Sequence, residues 1–249
     1  MTGDSSPAST LEWRNIDYRY PQSTATILQG CSARLKTGII TALVGRTAVG
    51  KSTLGMLVKG LLEPVAGEFR LAKGVEMQSL SSAERMRLAG WACAHPEIQI
   101  FAPTVREEVE FGLRRQGFSG ERLRERIEGA LDAVGISLTA HGGLNPLVLS
   151  GGWRRLVALA SLAAMDYRWY VFDEPTAGLD LPGMQRVCGL MRKRTADGCG
   201  VLWITHDLAA VRRGADRLWL MEEGRITLDL CIANVKWQDL NHRMAGTPP

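Results

Sequence analysis

The chain has 249 residues, of which 45% are hydrophobic and 22% charged, a composition typical of globular proteins and not of disordered or fibrous ones. Its 30 basic and 26 acidic side chains give a formal net charge of +4, too small an excess to predict a nucleic-acid partner. The five cysteines are scattered and form no C-x-x-C pair, which argues against a disulfide framework and a zinc cluster. We interpret them as small buried side chains in a reducing compartment.

No segment of the sequence is expected to cross a membrane. The longest nearly uninterrupted apolar stretch, Leu156 to Met165, is about half as long as a spanning helix must be. Residues 1–10 are rich in Ser, Thr and Pro and lack the basic flank and apolar run of a secretion signal. We therefore expect a cytosolic chain that begins with a flexible tail.

Short alternating or apolar runs predict strands in the first and last thirds of the chain. Between them, from about Ser79 to Ala140, the pattern becomes helical, and Thr104-x-x-Glu107 has the spacing of a capping box. This order predicts an α/β core split by a helical subdomain. The predicted strands are Leu11–Tyr20, Thr26–Leu35, Ile39–Val44, Trp169–Phe172, Gly200–Thr205 and Arg217–Met221, and the helical apolar positions include Leu123, Ile127, Ala130, Leu131 and Val134.

The apolar run Ile39–Val44 is followed by a complete G-x-x-x-x-G-K-S motif. Small residues allow backbone N–H groups to surround phosphates, and the following helix start adds a positive dipole. Lys51 is expected to reach the β- and γ-phosphates, and the Ser52 hydroxyl to bind Mg²⁺. The predicted nucleotide-binding loop consists of Gly45, Arg46, Thr47, Ala48, Val49, Gly50, Lys51, Ser52 and Thr53.

Two adjacent carboxylates, Asp173 and Glu174, end the predicted strand that begins at Trp169. Taken alone, such a pair is as typical of a helix N-cap as of a catalytic site. Together with a phosphate loop the pair indicates nucleotide hydrolysis. Asp173 would hold Mg²⁺, and Glu174 would orient or deprotonate the attacking water.

A second anion-binding element is predicted at Ser150, Gly151 and Gly152, where the serine caps a helix and the glycines expose its first N–H groups. His206 follows a predicted strand and is positioned to contact a γ-phosphate. Two phosphate-binding elements in one chain are explicable when a nucleotide lies between the loop of one subunit and the Ser-Gly-Gly cradle of another.

The order of these motifs, from Tyr20 to His206, resembles that of the ATP-binding cassette (ABC) family over roughly residues 11–229. The resemblance implies an α/β P-loop NTPase core with an antiparallel β subdomain, about 11–78 and 161–230, and an inserted α-helical subdomain, about 79–160. Residues 231–249 would form a short tail. It also implies ATP and Mg²⁺ as cofactors, Tyr20 stacking on adenine, Glu174 and His206 as catalytic residues, and Ser150–Gly152 completing the site of a facing subunit.

The stretch from His95 to Leu113 is similar to the ATPases of energy-coupling factor (ECF) transporters, which import vitamins and transition-metal ions. This resemblance implies a peripheral position on the cytoplasmic face of the cell membrane. The implied partners are a second ABC ATPase subunit, in a hetero- or homodimer, a transmembrane coupling protein and a substrate-binding membrane protein.

Three positions depart from the family pattern. Ala94 stands where the family has a glutamine that contacts Mg²⁺ and water, Ala48 stands where glycine is preferred, and Trp153 replaces the glutamine that follows the cradle. A positive φ at Ala48 would cost about 1 kcal/mol. With Glu174 and His206 retained, we expect one member of an asymmetric ATPase heterodimer with slow turnover alone. A soluble ATP-dependent clamp and a nucleotide-binding subunit with little hydrolysis stay open as alternatives.

Overall fold

The computed structural model of the chain describes residues 10–71 and 75–245. Their contacts separate into two compact units. The first unit contains the chain up to Ala89, the segment Arg168–Val171 and the chain from Arg194 onward. The second contains Gly90–Tyr167 and Phe172–Lys193, so its sequence is inserted into that of the first. The predicted amino-terminal tail, apart from Thr10, lies outside the described residues.

In chain order, the strands of the described residues are β1 (Thr10–Tyr18), β2 (Leu28–Lys36), β3 (Ile40–Gly45), β4 (Ala66–Leu71), β5 (Ala89–Ala92), β6 (Trp169–Asp173), β7 (Gly200–Ile204), β8 (Arg217–Glu222) and β9 (Arg225–Cys231). The α-helices are α1 (Lys51–Lys59), α2 (Ser82–Leu88), α3 (Pro96–Gln99), α4 (Val105–Arg115), α5 (Gly120–Ala133), α6 (Leu138–His141), α7 (Gly151–Ala164), α8 (Leu181–Ala196), α9 (Leu208–Gly214) and α10 (Trp237–Ala245). Short 3-10 helices occupy Met77–Ser79, Pro146–Val148 and Ile232–Asn234.

An antiparallel sheet of the order β2-β1-β4 forms part of the first unit. In the central strand, Trp13 lies opposite Ala33 on one side and Phe69 on the other. The buried Trp13 ring stacks on Phe69 and meets the edge of Trp219 in β8, with 5.5 Å between ring centroids in both pairs. Aromatic packing of this kind fixes the small sheet against β8 within the same unit.

The larger sheet contains the order β6-β7-β3-β8-β9, and residues 169–171 of β6 belong to the first unit. β3 is parallel to both β7 and β8, whereas β9 returns antiparallel to β8. Every residue of β3 and β7 is buried, which is typical of parallel strands covered on both faces. Because Leu43 pairs with Ile204, the carboxyl ends of β3 and β7 lie at the same edge of the sheet.

Helix α7 is the centre of the second unit and packs against α4 and α5. The predicted apolar period of α5 is confirmed, since Leu123, Ile127, Ala130 and Leu131 are buried. The predicted start of α4 is also confirmed: the hydroxyl of its N-cap Thr104 accepts a hydrogen bond from the Glu107 backbone N–H at 3.2 Å.

A short strand, β5, interrupts the stretch that the sequence predicts as helical. Its four residues, Ala89-Gly90-Trp91-Ala92, are too few to show a period. At Gly90 a β-carbon would lie 2.4 Å from Leu162 Cδ1 and 2.5 Å from Tyr167 Cδ2, so this segment is set by packing against distant residues. Sequence patterning over neighbouring positions does not contain that information.

All five cysteines are free in the structure, and the sequence pattern predicted no disulfide framework. Burial of Cys31 raises the pKa of its thiol to about 11, because the charged thiolate loses its hydration. The expectation that every cysteine is buried is wrong for the other four. Cys231 is exposed, and Cys93, Cys188 and Cys199 are half-buried.

Candidate functional site

The predicted phosphate loop connects β3 to α1. β3 ends at Gly45, and α1 begins at Lys51 after its N-cap Gly50, whose φ of 105° lies in the left-handed region. A β-carbon on Gly45 would lie 2.4 Å from the carbonyl oxygen of Met221, so the close approach of the loop to β8 requires glycine. The strand, the glycine turn and the helix start therefore follow in the order that a phosphate-binding loop needs.

Lys51 folds back over this loop. Its Nζ donates hydrogen bonds to the carbonyl oxygens of Gly45 at 2.8 Å and Arg46 at 2.7 Å. The ammonium group is thus held beside the loop backbone, where a phosphate would meet both the cation and the N–H groups. Ser52 is exposed in the first turn of α1 and presents a hydroxyl, an oxygen ligand of the kind that Mg²⁺ accepts.

Ala48 has a φ of 65°, so the condition under which an L-residue is strained at this position is met. The left-handed conformation brings a β-carbon close to the following carbonyl and costs an L-residue about 1–2 kcal/mol. The loop thus adopts its conformation without a glycine at this position, at a cost in backbone strain.

Tyr20 is fixed against the helix that follows the loop. Its hydroxyl lies 3.1 Å from Thr53 Oγ1 in α1, and its ring meets the edge of the Tyr18 ring with 5.0 Å between centroids. Thr53 itself is buried. The half-buried Tyr20 ring is therefore positioned by both the small sheet and α1, and its stacking on adenine stays a prediction.

His206 lies two residues beyond the end of β7. The Thr205 backbone N–H donates to the carbonyl oxygen of Leu43 at 3.2 Å, so the chain that carries His206 leaves the sheet beside the strand that leads into the phosphate loop. The neighbouring Asp207 caps α9 through a 2.8 Å hydrogen bond from the Ala210 backbone N–H. The side chain of His206 is exposed at this edge.

A cavity of about 630 Å³ in the first unit is partly lined by two loop residues, Arg46 and Val49. Arg243 of α10 and Glu222 of β8 also line it and form an ion pair. Burial alone would raise the pKa of Glu222, but hydrogen bonds from Arg243 and Thr227 outweigh burial and hold that pKa below its usual value. This ion pair attaches the last described helix to the strand beside the loop.

The two predicted acidic residues belong to the second unit. Asp173 is the last residue of β6 and is 4% exposed, whereas Glu174 is half-buried. Glu174 has a φ of 47°, a left-handed conformation that is uncommon outside glycine and asparagine. Among residues 10–71 and 75–245 no group of three or more His, Cys, Asp or Glu side chains could enclose a metal ion. The Asp173 carboxylate is an oxygen ligand of the kind that Mg²⁺ accepts, and its role in binding the ion stays a prediction.

The Ser-Gly-Gly cradle starts α7 in the second unit. As predicted, Ser150 is the N-cap, and its hydroxyl accepts a hydrogen bond from the Trp153 backbone N–H at 3.4 Å. A β-carbon on Gly151 would meet no atom within 4 Å. Packing among the described residues therefore does not require glycine at 151. The Trp153 ring contacts His141, with 4.7 Å between ring centroids.

Two arginines that follow the cradle were not identified as site residues from the sequence. Arg154 Nη1 donates to the carbonyl oxygens of Leu147 at 3.2 Å and Leu149 at 2.7 Å, and thereby fixes the chain that leads into the cradle. Arg155 donates to the carbonyl oxygens of Glu174 and Ala94. Their only sequence signal is a pair of basic residues directly before an apolar helix face.

The sequence profile of the ABC transporter family matches residues 28–177 of this chain. The chain belongs to the ABC transporter family. It is an ABC ATPase, and ATP is the nucleotide of this family. The family identified from the motif order is thereby confirmed.

Curated relatives support the finer resemblance to ECF ATPases. The "Energy-coupling factor transporter ATP-binding protein EcfA" of Methanocaldococcus jannaschii is 36% identical over 217 residues, which are 87% of this chain and 77% of that protein. The "Cobalt import ATP-binding protein CbiO" of Syntrophus aciditrophicus is 34% identical over 88% of this chain and 77% of its own length. These relatives confirm that the chain resembles ECF transporter ATPases.

The fold also matches that of solved ABC ATPases. CbiO1 of Clostridium perfringens, described as part of the ABC transporter complex CbiONQ, superposes with a TM-score of 0.79. It is 28% identical, and the match covers 95% of this chain and 96% of that one. The predicted ABC ATPase fold is confirmed. In the part of the chain that the structure describes, no helix is long and apolar enough to span a membrane.

Proposed function

We propose that this chain hydrolyses ATP to power the import of a small nutrient, a vitamin or a transition-metal ion, as one half of an asymmetric ATPase pair. It would act at the cytoplasmic face of a membrane complex. The observation that carries the proposal is the phosphate loop with Lys51 folded over it, in a chain whose relatives are named as ECF and cobalt-import ATP-binding proteins.

In this proposal the loop Gly45–Thr53 binds the phosphates of ATP through its backbone N–H groups and Lys51. Tyr20, held by Thr53, stacks on adenine. Ser52 and Asp173 would hold Mg²⁺, which when bound neutralises charge on the β- and γ-phosphates. The oxygen-only chemistry of these two side chains supports this assignment.

Glu174 then orients or deprotonates the attacking water, and His206 contacts the γ-phosphate. Ser150, Gly151 and Gly152 bind the nucleotide held by the facing subunit. The open space around Gly151 supports this role, because a glycine that its own chain does not require leaves helix N–H groups accessible to a phosphate from outside.

Exposed apolar side chains of the second unit support docking of a membrane partner. Ile98, Phe101 and Phe111 are 77%, 61% and 44% exposed, and the two phenylalanine rings are in contact with 4.7 Å between centroids. The buried Glu108 carboxylate accepts hydrogen bonds from the backbone N–H groups of Phe101 at 3.0 Å and Ala102 at 2.9 Å. The chain that presents Phe101 is thus fixed in place, as a preorganised docking element requires.

The asymmetric pair is supported by Ala94 and Trp153. An alanine side chain has no polar atom with which to contact Mg²⁺ or water, so this site is expected to depend on a second, different ATPase for fast turnover. The same two residues favour a second candidate, a nucleotide-binding subunit with little hydrolysis of its own.

Affinity purification of the tagged chain from detergent-solubilised native membranes, followed by mass spectrometry, tests the transport proposal. We expect a membrane protein together with a second, different ABC ATPase, and the membrane components would narrow the substrate class. Recovery from the soluble fraction without any membrane protein would overturn the proposal and favour a soluble clamp.

Phosphate release distinguishes the two candidates. We expect turnover by the isolated chain to be at least about 10-fold slower than turnover in the purified complex. Equal and robust turnover by the chain alone would contradict the asymmetric pair. Turnover by the complex that is unchanged in Glu174→Gln would instead favour the subunit with little hydrolysis.

A further inference from the structure

Arg155 joins two loops of the second unit through one guanidinium group. It is the fifth residue of α7 and is half-buried. Its Nη1 donates to the carbonyl oxygen of Glu174, and its Nη2 donates to the carbonyl oxygen of Ala94 at 3.1 Å. The two acceptors are 80 residues apart in sequence, and both belong to the same unit as Arg155.

We propose that Arg155 is a positioning residue for Glu174. It bonds the backbone carbonyls of Glu174 and Ala94 together, so that the Glu174 carboxylate is held where it can orient or deprotonate the attacking water. The inference rests on the proposed function, in which Glu174 acts on the attacking water. In this proposal Arg155 itself contacts neither the nucleotide nor the attacking water.

The backbone of Glu174 is a segment that needs such support. Its φ of 47° is unfavourable for a side chain with a β-carbon, and such a conformation persists only where surrounding contacts hold it. A cationic donor bonded to the carbonyl of that residue restricts rotation of the peptide that follows. General-base catalysis depends on the distance between the base and water, so a residue that fixes this backbone acts on the rate.

Arginine is suited to this role and lysine is not. The guanidinium is planar and presents Nη1 and Nη2 as a rigid fork, so one side chain bonds two carbonyls in a fixed relative position. A lysine ammonium can donate to two carbonyls, as that of Lys51 does, but a single nitrogen on a flexible stem does not fix the relative position of two distant segments. The side chain of Ala94 contributes nothing polar here, and its backbone carbonyl supplies the contact instead.

Arg126 of the same unit has partners other than Glu174 and provides a control. Arg126 of α5 forms an ion pair with Asp166 and lies over the Phe118 ring, 4.7 Å from its centroid. It is, like Arg155, a partly buried arginine with defined partners. Removing Arg126 therefore reports the cost of losing a structural arginine from this unit without touching Glu174.

The test compares Arg155→Met, Arg155→Lys and Arg126→Met in the complex purified from native membranes through a tag on this chain. The kcat and KM compared are those of the ATP turnover that depends on Glu174. This turnover is obtained by subtracting the turnover of the Glu174→Gln complex from that of each variant. We expect Arg155→Met to lower kcat about 10- to 30-fold while KM for ATP changes less than about threefold. Arg155→Lys should retain an intermediate kcat, and Arg126→Met should retain that of the unsubstituted chain.

Amide hydrogen exchange gives a readout that does not require assembly. In Arg155→Met, peptides that cover residues 93–95 and 174–177 should exchange faster, whereas the exchange of α5 should not change. An unchanged kcat in Arg155→Met, or unchanged exchange at 174–177, would overturn the inference. If Glu174→Gln removes no turnover, the proposed role of Glu174 fails, and that failure is detected before any Arg155 variant is compared.

Discussion

The phosphate loop of the first unit and the cradle region of the second unit are held by different means. The loop is held by backbone geometry: Gly45 allows contact with Met221, Gly50 caps α1, and Lys51 bonds carbonyls of its own loop. In the second unit, long side chains bond the backbone of other segments: Arg154 bonds the carbonyls of Leu147 and Leu149 before the cradle, and Arg155 bonds those of Glu174 and Ala94. A replacement in the loop therefore acts on backbone geometry, as the φ of 65° at Ala48 shows, whereas a replacement of Arg155 acts on two distant segments at once.

The largest expected effect is that of substituting Glu174, the residue of the second unit to which we assign the attacking water. Glu174→Gln should lower ATP turnover at this site about 1000-fold, because the amide cannot accept a proton from water. ATP should still bind and remain bound longer. Single-turnover phosphate release with bound radiolabelled ATP measures both quantities. Loss of nucleotide binding in this variant would show that Glu174 holds the ligand rather than acting on water.

The next effect concerns the first unit, where binding should reside. Lys51→Ala should weaken ATP affinity about 100-fold, because charge-assisted hydrogen bonds to phosphate are lost. Titration with a fluorescent ATP analogue measures the affinity, with Lys36→Ala of the exposed end of β2 as the matched control. Equal affinity in Lys51→Ala and the unsubstituted chain would overturn the assignment of the loop.

A smaller effect tests whether the backbone of the loop is strained. Ala48→Gly should raise the free energy of unfolding by about 0.5–1 kcal/mol, since relief of the left-handed strain exceeds the added entropy of an unfolded glycine. Gln22→Gly, at an exposed position with a φ of 68°, is the control of the same conformation. Denaturant unfolding should show a gain in both variants, while only Ala48→Gly should tighten ATP binding.

The smallest effect concerns the replaced residue of the cradle. Trp153→Gln should lower the free energy of unfolding by about 0.5–1 kcal/mol, because the ring loses its contact with His141. The helix start should survive, since Ser150 accepts from the backbone N–H of residue 153 and not from its side chain. Urea unfolding measures the free energy of unfolding of Trp153→Gln, of His141→Ala and of the double variant. The loss in the double variant should differ from the sum of the two single losses. Full additivity would exclude a direct contact.

The sequence predicted those parts of the site whose structure is determined by residues close together in the chain. The strand Ile39–Val44, the glycines of the loop and the Ser150 cap each act within a few positions, so spacing along the chain identifies them. The observed strand β3 begins and ends one residue later than the predicted strand Ile39–Val44. The predicted N-cap Ser150 is present.

The parts that could not be predicted depend on distant contacts. Arg155 bonds residues 19 and 61 positions away, and nothing in its neighbourhood indicates either acceptor. The strand β5 is likewise set by the approach of Leu162 and Tyr167 to Gly90, about seventy residues later in the chain. Such contacts exist only after the chain has folded, so a motif or a period does not contain them.

The pairing of β3 has a consequence for how the protein is made. β3 carries the phosphate loop, and its partners β7 and β8 follow about 160 residues later in the sequence. A ribosome adds about 5–20 residues per second, so β3 waits several seconds or longer for its neighbours to emerge. During that interval a largely apolar strand has two unpaired edges. We expect nascent chains released before β8 to be clients of chaperones and unable to retain nucleotide.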